Sequence, residues 1–192
     1  RFAIPLNLRS LTLQTGHALQ RALQLGDDEL STIIGDRIAS RMFVQDQVGT
    51  FAPPDDEADA TLTDYDAHGE AAMLPAWLDP VVARQPVLRP ILGAPVLVST
   101  LDYLIAAGEP GRQGHHVSAL LRLVDSDLVL DEIDAYEPAA LVAVLRVVRM
   151  AALLGRNVIC ASATLPVPVA DAVARAFADG QHMHAALHRT AP

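Results

Sequence analysis

Short apolar runs alternate with stretches of helical periodicity along most of the chain. Arg1 to Leu6 is short and apolar and breaks at Pro5 and Asn7, which predicts a strand. Leu8, Leu11, Ala18, Leu19, Ala22 and Leu23 then recur mostly at helical spacing, and Gly26 follows Leu25 as a stop. Leu30 to Ile34 is a second strand-like run, ended by Gly35 and Asp36. The valine-rich segment from Ala94 to Thr100 predicts another strand. Short helices are expected at Leu101–Ala107 and Val117–Val124, with Gly108–Gly114 as a loop between them. Asp127 to Leu130 predicts a strand that runs into acids. Pro138 to Leu154 carries the strongest helical signal. Its proline suits a first helical position and Gly155 suits the end. Leu141, Val144, Leu145, Val148 and Ala152 form its expected buried stripe, with Arg146 and Arg149 facing elsewhere. Asn157 to Ala161 predicts a further buried strand, and Pro168 to Asp179 a last helix closed by Gly180.

Apolar strands alternating with helices imply an α/β fold with a parallel central sheet and helices on both faces. In such sheets the chemistry sits where the strands end, at their carboxyl edge. No internal repeat is evident.

The pattern fails between Gln45 and Pro90. Asp46, Asp55, Asp56, Glu57, Asp59, Asp64, Asp66 and Glu70 are eight acids, and no lysine or arginine occurs from Met42 to Ala83. Residues 46–90 therefore read as a solvated acidic insertion, or functionally as a docking loop, with Trp77 anchoring its far end on the core. The chain's net charge is −9, and without these eight acids it is −1. Such a balance suits a free-standing DNA-binding module poorly. All 14 basic residues are arginines, so chemistry that needs a lysine must find it elsewhere.

At 192 residues the chain fits one domain or one lobe of something larger. No apolar run reaches the roughly 18–20 residues of a membrane span. The first residue is Arg1 and no signal-like start is present, so the expectation is a cytoplasmic location and an excised or processed piece. The single cysteine, Cys160, lies in an apolar run and is expected to be a buried structural thiol. One cysteine builds neither a disulfide nor a zinc framework.

The most specific signal is Leu128-Val129-Leu130-Asp131-Glu132-Ile133-Asp134. An apolar strand delivers two adjacent carboxylates to the sheet edge. Nucleotide hydrolysis uses such a pair because one carboxylate holds the magnesium that bridges the phosphates, usually through water. The other orients or deprotonates the attacking water. Asp131 is the magnesium candidate and Glu132 the water-positioning candidate; the same residues also suit the acidic start of a helix. About 30 residues on come Ser162-Ala163-Thr164, after a helix and a strand. Their hydroxyls can bond the acidic motif, Asp134 included, and couple hydrolysis to movement. Read blandly, they are strand-end turn chemistry. Arg9, Thr12 and Thr15 at a helix start, and Ser99 and Thr100 at a strand end, suit backbone phosphates as well as ordinary capping.

These two motifs, the Leu8-Arg-Ser-Leu-Thr-Leu-Gln-Thr-Gly16 stretch and Pro95-Val-Leu-Val-Ser-Thr-Leu-Asp-Tyr-Leu104 together resemble the superfamily 2 helicases. More narrowly they resemble the CRISPR-associated helicase–nuclease of type I interference, in the subtype F form that carries a fused adaptation protein. The resemblance spans nearly the whole chain and is weakest in the acidic insertion. It implies a partial first RecA-like lobe over residues 1–180, with 181–192 a tail or link to a second lobe. It further implies ATP and Mg2+ as cofactors, and single-stranded DNA and the CRISPR surveillance complex as partners. An adaptation protein is a further implied partner. The family's Gly-Lys-Ser/Thr phosphate loop and its metal nuclease motif have no counterpart here, so the chain alone is expected to be inactive. Two other readings of the residues stand beside this one: another DNA or RNA helicase of the same superfamily, and a catalytically silent interaction module of the same fold. Gly108, Gly111 and Gly114 lack a following Lys-Ser/Thr and read as a connection. His115, His116, His182, His184 and His188 read as solvated, although His184 and His188 would share a helix face.

Overall fold

The computed structural model describes residues 1–34, 74–109 and 116–190. Its elements in chain order are β1 (Phe2–Leu6), α1 (Arg9–Leu23), β2 (Leu30–Ile33), a 3-10 turn (Ala76–Leu78), α2 (Asp79–Arg84), α3 (Leu88–Gly93) and β3 (Val96–Thr100). Then follow α4 (Leu101–Ile105) with a 3-10 extension (Ala106–Gly108), α5 (His116–Val124) and β4 (Asp127–Asp131). A second 3-10 turn (Ile133–Ala135), α6 (Pro138–Leu153), β5 (Val158–Ala161) and α7 (Val167–Thr190) complete the described chain.

The five strands form one sheet in the order β2-β3-β1-β4-β5, and every pairing is parallel. The chain leaves β1 for one side of the sheet, then crosses it to lay down β4 and β5 on the other. All five carboxyl ends therefore lie along one edge. Ala3, Leu97, Leu128 and Leu130 point into the larger hydrophobic cluster, which the helices from α2 to α6 help to fill. The opposite face carries the smaller cluster of Leu6, Leu30 and Val98, closed by Leu11 and Leu19 of α1. At Gly16 this packing is close enough that a Cβ would strike the Thr32 hydroxyl.

The structure changes several expectations. The acidic segment of residues 46–73 lies outside the described residues, as do residues 110–115 of the glycine-rich connection. Residues 74–90, expected in the insertion, instead form the first 3-10 turn, α2 and the start of α3, with Leu78, Val82 and Leu88 in the core. Leu78 is the anchor there; Trp77 is 57% exposed. On α6 the buried stripe is Val144, Val147, Val148, Ala151 and Ala152, while Leu141 and Leu145 are half-buried. With nearly every position of that helix apolar, periodicity left the facing angle open, and the small residues went where the packing is closest. The strand β5 is not buried. It sits at the end of the sheet, α1 lies over β1, β2 and β3 instead, and Ile159 is 49% exposed. Gly180 does not end the last helix. It is the crossing point with α6, where a Cβ would strike the Arg149 carbonyl and the Ala152 methyl, and α7 runs on to Thr190. Among the described residues, no helix is long and apolar enough to cross a membrane.

Candidate active site

Parallel topology sets four strand ends side by side: β3 with Ser99–Thr100, β1 leading to Arg9, β4 with Asp131–Glu132, and β5 leading to Ser162. β4 pairs with β1 at its amino end, through Asp127 and Leu128, and with β5 along its length to Asp131. Asp131 pairs in register with Ala161, one residue before Ser162.

Asp131 and Glu132 are both exposed. The Glu132 N–H donates to Ala161 O at 2.9 Å and to Asp131 Oδ1 at 3.0 Å. The backbone of Glu132 is left-handed, at φ 50° and ψ 42°. Such a conformation is uncommon for a residue with a side chain, and it concentrates at functional sites. Asp134 is the fixed member of the motif. Its Oδ1 accepts the Ser162 hydroxyl and its Oδ2 accepts the Thr164 hydroxyl at 2.8 Å, while the Thr164 N–H donates to Ser162 Oγ at 3.3 Å. The Ser162 hydroxyl foremost, then that of Thr164, holds the Asp134 carboxyl below the usual carboxylate value. The serine–alanine–threonine segment thus ties the end of β5 to the turn after β4 through both oxygens of one carboxylate.

Two groups lie close beneath. Burial pushes the Cys160 thiol up, although the residue is half-buried instead of enclosed. Tyr136 is buried, and its hydroxyl is pushed up to about 12, by burial first and then by the charges of Asp131 and Glu132. Sequence reading missed this tyrosine. Its one signal was its place two residues beyond Asp134.

The proposed nucleic-acid edges separate into exposed and withdrawn residues. Arg9 opens α1 on the surface and Thr15 is half-buried. Thr12 is fully buried and its hydroxyl donates to Leu8 O at 2.9 Å. Ser99 and Thr100 are buried as well, because β3 passes directly into α4 under the core. The structure brings Asp131, Glu132, Asp134, Ser162 and Thr164 together, and it does not bring Thr12, Ser99 or Thr100 to the surface. Near the end of α7, His184 Nδ1 lies 2.9 Å from Leu153 O, and the His184 and His188 rings are 4.2 Å apart. Among the described residues, no group of three or more His, Cys, Asp or Glu is placed to hold a metal ion.

The all-parallel sheet and the helices about it define a RecA-like α/β lobe. Solved structures of T. fusca Cas3 with AMPPNP and with ATP share the fold. Their TM-scores are 0.59 and 0.57 at 19% and 20% identity, over 94% and 93% of this chain and 17% of those chains. No protein-family model matches the chain. The CRISPR-associated nuclease/helicase Cas3 of subtype I-F/YPEST from Pectobacterium atrosepticum is 38% identical over 192 aligned residues, 94% of this chain. The protein of the same description from Pseudomonas aeruginosa is 37% identical over the whole of it. The chain belongs to this family of nuclease/helicases and spans 17% and 18% of the lengths of those two relatives.

Proposed function

We propose that this chain is part of the first motor lobe of an ATP-driven translocase on single-stranded DNA, which unwinds target DNA and feeds it to a nuclease in type I CRISPR interference. The observation that carries the reading is the bridge from Ser162 and Thr164 to Asp134, set beside the exposed Asp131–Glu132 pair. The donor set fits a hard cation: a surface carboxylate that accepts one backbone N–H on Oδ1, at the carboxyl edge of a parallel sheet. Asp131 would hold magnesium through water, and the bound ion would neutralise phosphate charge. Glu132 would orient the attacking water. Asp134, Ser162 and Thr164 would transmit the state of the site to β5 and the helix after it. Arg9 and Thr15 would face the nucleic-acid backbone, in keeping with a grip on phosphate and sugar that moves along any sequence. Ser99, Thr100 and Thr12 would support that surface from within. The surveillance complex and an adaptation protein are the partners this reading assigns to the whole protein.

The test is Glu132→Gln in the intact parent. Steady-state ATP hydrolysis should fall by roughly 10²–10⁴ while nucleotide affinity is kept, as for loss of a positioned base. A rate within about threefold of wild type, small beside that range, removes Glu132 from the mechanism. The 192-residue chain by itself should show no turnover, since it has no lysine to meet the terminal phosphates.

A further inference from the structure

The turn after β4 holds two features that the resting fold leaves unresolved. The first is the left-handed backbone of Glu132, which is unfavourable for a residue with a Cβ. The second is the Tyr136 hydroxyl. The residue is 7% exposed, and its hydroxyl is buried without a hydrogen-bond partner among the described residues. A buried orphan hydroxyl is destabilising, and phenylalanine would fill the same space without it. Unsatisfied buried groups of this kind call for a role outside the resting fold.

The segment between the two is short and mostly fixed. Ile133 is buried, Ile133–Ala135 form a single 3-10 turn, and both oxygens of Asp134 are engaged by Ser162 and Thr164. The exposed side chain of Glu132 is the part left to rearrange. We propose that Tyr136 is a positioning residue for Glu132: in the nucleotide-loaded site Glu132 leaves its left-handed conformation and its carboxylate accepts a hydrogen bond from the Tyr136 hydroxyl. One movement then relieves the strained backbone and satisfies the orphan donor, and it fixes the carboxylate for its work on water. Asp131 is the poorer acceptor, because one of its oxygens already takes the Glu132 N–H and, in the reading above, the carboxylate would serve magnesium. Burial and the neighbouring carboxylates push the hydroxyl up to about 12, so it is a donor near neutral pH. The inference rests on the assignment of Asp131 and Glu132 given above.

The experiment compares Tyr136→Phe, Glu132→Gln and wild type in the full-length parent. Tyr136→Phe should leave the thermal midpoint of the nucleotide-free protein equal or slightly higher, because it removes an unpartnered buried hydroxyl. It should lower kcat for magnesium–ATP about tenfold with KM changed less than about twofold, the size expected when one charge-assisted hydrogen bond is lost. Amide exchange provides a readout apart from turnover. A non-hydrolysable ATP analogue should slow exchange across residues 132–136 in wild type and do so clearly less in Tyr136→Phe. A fall in midpoint of several degrees would mean that the hydroxyl has a partner in the resting fold and would overturn the proposal. So would wild-type kcat together with wild-type exchange. If Glu132→Gln is inactive while Tyr136→Phe is unchanged, the role of Tyr136 alone fails. If Glu132→Gln keeps its turnover, the reading of the site fails and the proposal with it.

Discussion

The two edges of the sheet use polar groups in opposite ways. At the amino edge Arg122 is 1% exposed, and both terminal nitrogens of its guanidinium donate to backbone carbonyls, while its Nε is buried without a partner among the described residues. It donates to Ile91 O at 3.1 Å, Ala94 O at 2.6 Å, Phe2 O at 2.8 Å and Pro95 O at 3.2 Å. One side chain thereby joins the end of α3 to the starts of β1 and β3. Nearby, Asp127 at the start of β4 accepts the Asn157 N–H at 2.9 Å and the Asn157 amide at 3.3 Å. At the carboxyl edge the acids Asp131 and Glu132 face solvent, as does Arg9, and the backbone beneath Glu132 is in an unfavourable conformation. β4 shows the contrast in five residues, since it opens on an aspartate bound within the fold and closes on one left facing outward. Satisfied polar groups give a rigid platform, and unsatisfied ones beside it are free to meet a ligand.

Arg122 should break the platform most completely. Burial first, and then the charge of Arg1, pushes its guanidinium down to about 10, so it is still a cation at neutral pH. Arg122→Met keeps much of the stem but strips hydrogen bonds from four carbonyls, of which Pro95 O still accepts the Phe2 N–H. The expected loss is at least about 3 kcal/mol, since each stranded acceptor typically costs about 1–3 kcal/mol and the surroundings relax in part. Arg122→Lys should fall between the two, because an ammonium is a point charge without the planar fork. Urea unfolding of the chain with all three residues gives the comparison. A loss below about 1 kcal/mol for the methionine variant would show that the carbonyls find other partners.

This asymmetry also decides what the sequence could reveal. The acidic motif and Ser162-Ala163-Thr164 were legible because each is contiguous and follows an apolar run, and the structure brings Asp134 and the two hydroxyls into contact. Arg122 was invisible. Its partners are backbone carbonyls as far as 120 residues away, and any residue type supplies a carbonyl. The strand β5 reads as buried from its apolar residues alone, since composition does not say which strand lies at the end of a sheet. Ser99 and Thr100 looked available as strand-end hydroxyls, but the immediate start of α4 folds them under. Gly180 carried the sign of a helix end and serves helix crossing, because the same missing Cβ suits both uses.

Acid should separate the edges more gently. The Asn157 N–H holds Asp127 below its usual value of 3.8, and the Ser162 hydroxyl does the same for Asp134. A carboxyl depressed in the folded state stabilises it above the unfolded value and loses that contribution as pH falls through the folded one. Thermal midpoints should therefore be little affected by these two groups from neutrality to about pH 4 and should drop below that. Asp127→Asn and Asp134→Asn should each flatten part of the drop. Both groups are near solvent, and Asp127 also draws on the charges of the amino terminus and Arg156, so added salt should shrink the Asp127 share in particular, while the hydroxyl bonds to Asp134 are less sensitive to it. An acid profile unchanged in the double variant would contradict the bonding at both edges.

The smallest expected effect concerns two residues with positive φ, one near each edge. Gly155, between α6 and the start of β5, has φ 73°, and a Cβ there would come 2.9 Å from His184 Cε1. Glycine is the residue such a position selects. Glu132 at the carboxyl edge has φ 50° and is not glycine. Gly155→Ala should destabilise the chain by about 1–2 kcal/mol, the cost of placing a Cβ in the left-handed region. Glu132→Gly should do the reverse. It removes a similar strain but adds backbone freedom to the unfolded chain, about 0.4–1 kcal/mol in the glycine–alanine case. The net should be a gain of about 0.5 kcal/mol, read as a higher urea midpoint at unchanged slope. The same substitution in the parent should abolish turnover. A gain in stability with a loss of activity is the mark of strain kept for function. If Glu132→Gly lowers the midpoint instead, the glutamate side chain stabilises the resting fold, and its left-handed backbone is a consequence of local packing and not a reserve for the loaded state.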